Sequence, residues 1–445
     1  MKISNYTFFV EYESNSYLYN TLSNSLVQID KETYQLLQNY KNKHTSINKE
    51  EFESELYQLL VNKRFICETD KDELLLYRSM VQPIREQRKF MHLTIAPTTD
   101  CCFKCFYCFE HNKRRGYMSS SVMDSIIKYI SKQPELERLA LTWFGGEPLM
   151  AQKEMREFYR KLRTIFTGTI ESNIITTGYH ICPETIEMFQ ELGITSIQIT
   201  LDGHQDSHNK IKFIDECSNV FSKTINNVRL LTTMLPDIHV VFRVNITKEN
   251  ANEYVSLFWY IHNEFKGRNI SISPAMVKNR QLLEERIATT KDVYFTNKEF
   301  SHYIVDLFLK HKIHSPFIRY PDDQMCECAI RDRMAIAFDP EGYAYKCWEK
   351  IGDSKYSIGK IDVEGNLVDV NVRELNRELY GADPFHSSSC SKCKILPICH
   401  GGCPIERIQN EYEGYCNETC AFQKYAMEDY IKAHLMLKDI GCNNH

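Results

Sequence analysis

Six strand-like runs punctuate the chain between Phe90 and Pro274, and each but the last leads into a helical stretch. This alternation limits the possible folds more than any other feature. Phe90–Ala96 precedes Ser119–Lys132, Leu139–Trp143 precedes Lys153–Phe166, and Glu171–Thr176 precedes Pro183–Leu192. Ser196–Thr200 then precedes Val220–Thr232, His239–Val244 precedes Asn252–His262, and Ile270–Pro274 closes the series. Strands separated by helices cannot pair as hairpins; they form a parallel sheet with helical crossovers. The expected class is therefore α/β, with six units building a partial (β/α)6, TIM-like barrel. In such sheets chemistry collects at the C-terminal ends of the strands.

Two further regions flank this array. Ahead of it, Tyr17–Tyr19 and Ser25–Ile29 read as two short strands around a polar turn. Asp30 is placed to cap a helix over Lys31–Tyr40, and Asn48 with Glu51 resembles a capping box opening a helix through Leu60. These elements predict a winged-helix-like N-terminal module over residues 1–85, a barrel over 88–312, and a cysteine-rich C-terminal domain over 313–445. That last part starts with a loop carrying Pro316 and Pro321 and ends in an expected helix, Gln423–Leu437.

Cysteine is the outlying residue type, with 17 copies. Hydrophobic residues at 43% and a net charge of −5 are ordinary for a soluble globular protein and favour neither nucleic acid nor an anionic membrane as partner. No apolar run is long enough to span a bilayer, and Met1–Glu11 lacks the pattern of a signal peptide. The expected location is the cytoplasm, where thiols stay reduced and clustered cysteines point to metal rather than to disulfides. The clustering is strong: nine cysteines fall between Cys326 and Cys420.

Directly after the first strand, Cys101, Cys105 and Cys108 form C-x3-C-x2-C, with Tyr107 before the last cysteine. Iron–sulfur clusters are usually held by four thiolates. A set of three leaves one metal position open for chemistry, whereas a zinc knuckle lacking one ligand is the inert alternative. After the second strand comes Trp143-Phe-Gly145-Gly146-Glu147-Pro148, where glycines permit close backbone approach and a carboxylate can accept from an ammonium.

These two segments resemble the radical S-adenosylmethionine (SAM) superfamily. The resemblance implies a [4Fe–4S] cluster on Cys101, Cys105 and Cys108 whose open iron binds SAM, with Tyr107, Gly145, Gly146, Glu147 and Pro148 around it. It implies SAM contacts at Thr200 in Thr200-Leu-Asp202-Gly203, at Lys212, where relatives carry arginine, and at Arg243 and Asn245 ending the fifth strand. Thr177 stands where relatives often show asparagine.

The C-terminal spacing is equally specific. Cys328-x13-Gly342-x4-Cys347 is followed by Cys390-x2-Cys393-x5-Cys399-x3-Cys403, then Cys416 and Cys420. It resembles the SPASM subgroup, which implies two auxiliary [4Fe–4S] clusters and three clusters in all. Cys328, Cys347 and Cys403 fall to the first, with Cys326 or an open site completing it. Cys390, Cys393 and Cys399 fall to the second, completed by Cys420 or Cys416. Zinc is the alternative occupant of these pairs.

Members of this subgroup mainly modify peptides, so the resemblance implies a peptide maturase acting on a ribosomally made precursor. A flavodoxin- or ferredoxin-like protein would supply electrons, and the N-terminal module would take the precursor's leader by β-augmentation. The sulfatase-maturase branch carries an acid after the Gly-x4-Cys cysteine; this chain has Trp348 there. Formylglycine formation, small-molecule radical chemistry and a non-catalytic metal-bound peptide scaffold remain the other readings.

Overall fold

The computed structural model describes residues 1–108, 115–278, 293–314 and 328–439. Compactness divides the chain into two units, each drawn from separate stretches. One holds Met1–Arg85, Thr296–Cys328 and Tyr380–His445; the other holds Glu86–Phe295 and Ala329–Leu379.

The second unit contains the expected array. Strands β1 (Phe90–Ile95), β2 (Arg138–Trp143), β3 (Thr169–Thr176), β4 (Ile194–Leu201), β5 (His239–Ile246) and β6 (Ile270–Met276) pair in chain order, all parallel. Helices α1 (Ser120–Ser131), α2 (Gln152–Ile165), α3 (Pro183–Glu191), α4 (Gln205–Ile211), α5 (Val220–Met234) and α6 (Tyr254–Glu264) lie between them. Each strand has two unlike faces because side chains alternate. Met91, Leu93, Ile95, Leu139, Leu141, Ile197, Ile199, Val240 and Phe242 are buried. Their alternates His92, Thr94, Thr142, Gln198 and Thr200 are half-buried, and Arg243 is exposed. One face is thus apolar, as helix cover requires, and the other is polar, as a ligand-bearing barrel interior requires. The sheet stays open, so the six units make a partial barrel.

One addition was not expected. β7 (Ala335–Phe338) pairs parallel to β1, with Ala335 opposite His92. β8 (Tyr343–Tyr345), β9 (Gly359–Ile361) and β10 (Leu367–Val368) then continue antiparallel, giving a ten-stranded sheet. Part of the cysteine-rich region therefore extends the barrel sheet. These strands are two to four residues long, too short for periodicity to reveal.

In the first unit, Thr7–Tyr12, Asn15–Asn20 and Ser25–Ile29 form a three-stranded antiparallel sheet. The expected two strands are there, and Thr7–Tyr12 joins them. Asp30 caps Lys31–Lys43 by accepting from the Thr33 amide at 2.8 Å. Asn48 caps only a single turn, Lys49–Glu51; Phe52 turns extended to bury its ring, and the helix starts afresh at Ser54. One face of the sheet packs Phe8, Val10 and Tyr19 against Ile395, Met427, Ile431 and Leu435, with Cys393 and Cys399 beside them. The N-terminal sheet is thus the floor under part of the cysteine array. The final helix runs Met427–Asp439, after a short turn at Phe422–Tyr425. Among the described residues no helix is long and apolar enough to cross a membrane.

Candidate active site and cysteine clusters

The loop after β1 carries Cys101, Cys105 and Cys108, all partly buried and none in a disulfide. Cys101, Cys102 and Cys105 rest on an apolar cluster of Phe103, Tyr179 and Val220. The Cys102 hydrogen bond and burial push the Cys101 thiol up, and burial does the same for Cys105. A metal that neutralises thiolate charge answers that cost.

The glycine turn after β2 clamps this loop. Gly145 sits at φ +124°, and a Cβ there would overlap the Thr98 carbonyl oxygen; one on Gly146 would overlap that of Asp100. The Gly146 amide donates to Thr98 O at 3.2 Å and the Glu147 amide to Asp100 O at 2.8 Å. Pro148 opens the following turn, Pro148–Ala151, where its missing N–H costs nothing.

Glu147 is fully buried. Its carboxylate accepts four hydrogen bonds: from Leu149 N at 3.0 Å, Thr176 Oγ1 at 2.6 Å, Thr177 N at 2.8 Å and Thr177 Oγ1 at 2.6 Å. All four donors are neutral, and among the described residues no cation pairs with it. Such a buried negative charge, fixed but not neutralised, suits an ammonium group. Thr177, which stands where relatives often show asparagine, follows β3 directly and holds this carboxylate through both its amide and its hydroxyl. Across the sheet Arg243 lies in register with Thr200, exposed on the polar face, with no hydrogen bond or ion pair among the described residues.

Lys212 takes a different part from the one its position suggested. It is 2% exposed and ion-paired with Asp202, itself fully buried. Burial works against the Lys212 charge, but Asp202 outweighs it and holds the ammonium above its ordinary value. Asp202 also accepts from Tyr107 Oη at 2.5 Å and from Asn245 Nδ2 at 3.3 Å. Tyr107, Lys212 and Asn245 therefore meet on one carboxylate, tying the cysteine loop to β4 and β5. Sequence spacing gave no sign of Asp202 as the hub.

In the first unit the structure gathers Cys390, Cys393, Cys399 and Cys420. Burial, with the Cys393 and Cys420 sulfurs nearby, pushes the Cys399 thiol up. The Cys420 sulfur, with Cys393 and Cys390 beyond it, raises the Lys424 ammonium. Lys424 Nζ donates to Cys420 Sγ at 3.2 Å, and Arg407 Nη1 to Cys390 Sγ at 3.3 Å. Cys416 is exposed instead. Gly402 makes the gathering possible: at φ +73° it packs so closely that a Cβ would overlap the Thr419 carbonyl, one residue before Cys420. Cys403 directly precedes the helix Pro404–Tyr412, Cys347 precedes the turn Trp348–Lys350, and Cys328 is exposed. Cys326 lies outside the described residues, as do Pro316, Pro321 and Cys442.

Thiols in sets of three and four are the donor type that iron–sulfur clusters take. Among the described residues, the group of three or more potential ligands gathered within 4.8 Å is Cys67, Asp70 and Glu73, and it contains none of the motif cysteines.

Comparison with known proteins agrees with this chemistry. Residues 95–258 match the radical SAM superfamily. The chain is 23% identical, over 80% of its length and all of the relative's, to a cysteine-type anaerobic sulfatase-maturating enzyme of Clostridium novyi. Among solved structures, native anSMEcpe with bound AdoMet and Kp18Cys peptide aligns with a TM-score of 0.60 at 17% identity, covering 80% of this chain and all of that one. Streptococcus suis SuiB bound to the precursor peptide SuiA aligns with a TM-score of 0.50 at 15% identity, covering 93% of this chain and 97% of that one.

Proposed function

From the premise that this chain is a radical SAM enzyme, holding SAM and a [4Fe–4S] cluster, we propose that it is a peptide maturase acting on a ribosomally made precursor. The observation that carries this reading is the first unit. The sulfatase-maturase relative and the anSMEcpe structure leave a fifth of this chain unmatched although they are matched end to end. The structure of SuiB with its precursor peptide extends to 93%. This chain also carries a three-stranded sheet whose outer strand, Ser25–Ile29, has no further strand beside it among the described residues. An extended peptide can add to such an edge through backbone hydrogen bonds.

When bound, the cluster and SAM would supply the radical chemistry that removes hydrogen from a substrate residue. Cys101, Cys105 and Cys108 would hold that cluster, and Tyr107 anchors their loop to Asp202. Glu147 would hold the SAM ammonium by charge, with Thr176 and Thr177 fixing the direction of its oxygens. Arg243, on the polar side of β5 beside Thr200, would meet the SAM carboxylate. The barrel's polar face orients these groups, and its fully buried Ile95, Trp143 and Leu201 exclude water from behind. Cys390, Cys393, Cys399 and Cys420 would hold a second cluster, a third would belong to the remaining cysteines of the array, and a flavodoxin- or ferredoxin-like protein would deliver electrons.

Sulfatase maturation is the second reading. It rests on the Clostridium novyi relative, but Trp348 stands after Cys347, stacked on Phe144 at 5.7 Å, where a proton acceptor would be needed. The test is anaerobic turnover of reduced protein with SAM and either the short peptide encoded beside the gene or a sulfatase-derived cysteine peptide. A mass change in the first, with release of 5′-deoxyadenosine, supports the maturase. Formylglycine in the second and no change in the first would replace it.

A further inference from the structure

The auxiliary cysteine group differs from an ordinary thiolate cluster site in one respect: cations touch its sulfurs directly. Arg407 Nη1 lies 3.3 Å from Cys390 Sγ, and Lys424 Nζ lies 3.2 Å from Cys420 Sγ. The guanidinium is aimed, because its Nε is fixed on Ala382 O at 2.8 Å. Arg407 stands on the helix Pro404–Tyr412, whose first residue follows Cys403. Lys424 stands in the turn Phe422–Tyr425, just after Cys420. Each cation is thus carried by the segment that places a ligand, and the two meet the first and last cysteines of the set.

A thiolate that accepts a charged hydrogen bond keeps less negative charge for the iron. Reduction adds an electron to an already anionic cluster, and adjacent cations favour that state. Hydrogen bonds to sulfur and local charge are established determinants of cluster potential. We propose that Arg407 and Lys424 are tuning residues that raise the reduction potential of the cluster held by Cys390, Cys393, Cys399 and Cys420. This rests on the reading that those four cysteines ligate a cluster.

The test uses the full chain with Cys101→Ala, Cys105→Ala and Cys108→Ala, reconstituted anaerobically, so that only auxiliary clusters are read. Iron is counted, and a redox titration is followed by electron paramagnetic resonance. Arg407→Gln and Lys424→Gln should each keep the iron of the background and move one midpoint potential to lower values. The double variant should move it further, and Lys424→Arg should bring it back. Where Arg407→Gln fails to hold iron, Arg407→Lys takes its place: keeping the charge while losing the fork, it should shift the midpoint less than Lys424→Gln does. Unmoved midpoints at full iron content overturn the proposal. Cys390→Ala separates this from failure of the underlying reading. If that variant keeps all its iron, the ligand assignment falls; if it loses iron while the cation variants stay unmoved, only the tuning falls.

Discussion

The two well-placed cysteine sets of this protein use the same ligand atom in opposite surroundings. The Cys101–Cys108 loop is held by backbone: glycines press against carbonyls and amides bind carbonyls, with the buried Asp202–Lys212 pair nearby. The Cys390–Cys420 set is held by side chains as well, with Arg407 and Lys424 on sulfur and an apolar floor from the N-terminal sheet. The first arrangement leaves the buried Glu147 carboxylate with neutral donors alone among the described residues. The second sets a cation on two of its sulfurs. An uncompensated carboxylate beside one cysteine set, against compensated sulfurs in the other, is the difference between the two.

The sharpest break of this comparison is removal of the first set. Cys101→Ala/Cys105→Ala/Cys108→Ala should abolish 5′-deoxyadenosine release and lower iron from about twelve to about eight per chain, at four per cluster; anaerobic iron analysis decides it. Loss of more iron would mean that the two sets are not independent.

Next in size is the free negative charge. Glu147→Gln should weaken SAM binding by about 3 kcal/mol, on the order of 100-fold in Kd, as expected when one partner of a buried charge pair is removed. Equilibrium dialysis of cluster-loaded protein measures it, and the auxiliary clusters should keep their iron.

The Cys390–Cys420 set breaks differently. Gly402→Ala forces a Cβ into the Thr419 carbonyl at positive φ. The strain, about 2–3 kcal/mol, should separate the Cys403 and Cys420 segments. We expect loss of about four irons while the SAM-binding signal persists in electron paramagnetic resonance.

The smallest effect concerns the barrel unit beyond Cys347. Lys350 pairs with Glu374 at 2.7 Å and lies 3.2 Å from Glu378, which is fully buried with neither oxygen hydrogen-bonded. Burial raises the Glu378 carboxyl to about 7 from an ordinary value of 4.5. Folding therefore disfavours its ionisation: the penalty is absent at pH 4, grows as pH rises past 4.5, and is complete above about 7. Glu378→Gln should then stabilise the protein by about 2–3 kcal/mol at pH 8 and leave it unchanged at pH 4. Thermal melts at both pH values test this, and equal melting at pH 8 would refute the assignment.

The barrel was legible because each parallel strand and its helix announce themselves locally, by apolar runs and by caps such as Ser119 and Asn219. Both cysteine sets were legible by spacing alone. What escaped had no local signature. Asp202 gathers Tyr107, Lys212 and Asn245 only after β4 and β5 lie side by side. Arg407 and Lys424 read as ordinary surface cations until the fold brings them onto sulfur. Thr7–Tyr12 carries a β-branched and aromatic run, and its place in the sheet is set by pairing with Asn15–Asn20.

The pairing of β1 with β7 also has a history in time. The outer edge of Phe90–Ile95 finds its partner at Ala335, so 240 residues must follow Ile95 before that partner emerges. At ribosomal speeds of about 5–20 residues per second, the edge waits roughly 12–50 s. During that wait a bare row of amides and carbonyls borders the Cys101–Cys108 loop. Slower synthesis lengthens the exposure, and a chain cut short before Ala335 never ends it. Until Ala335 arrives, the strand next to the Cys101–Cys108 loop is a place where nascent chains of this protein can pair with one another.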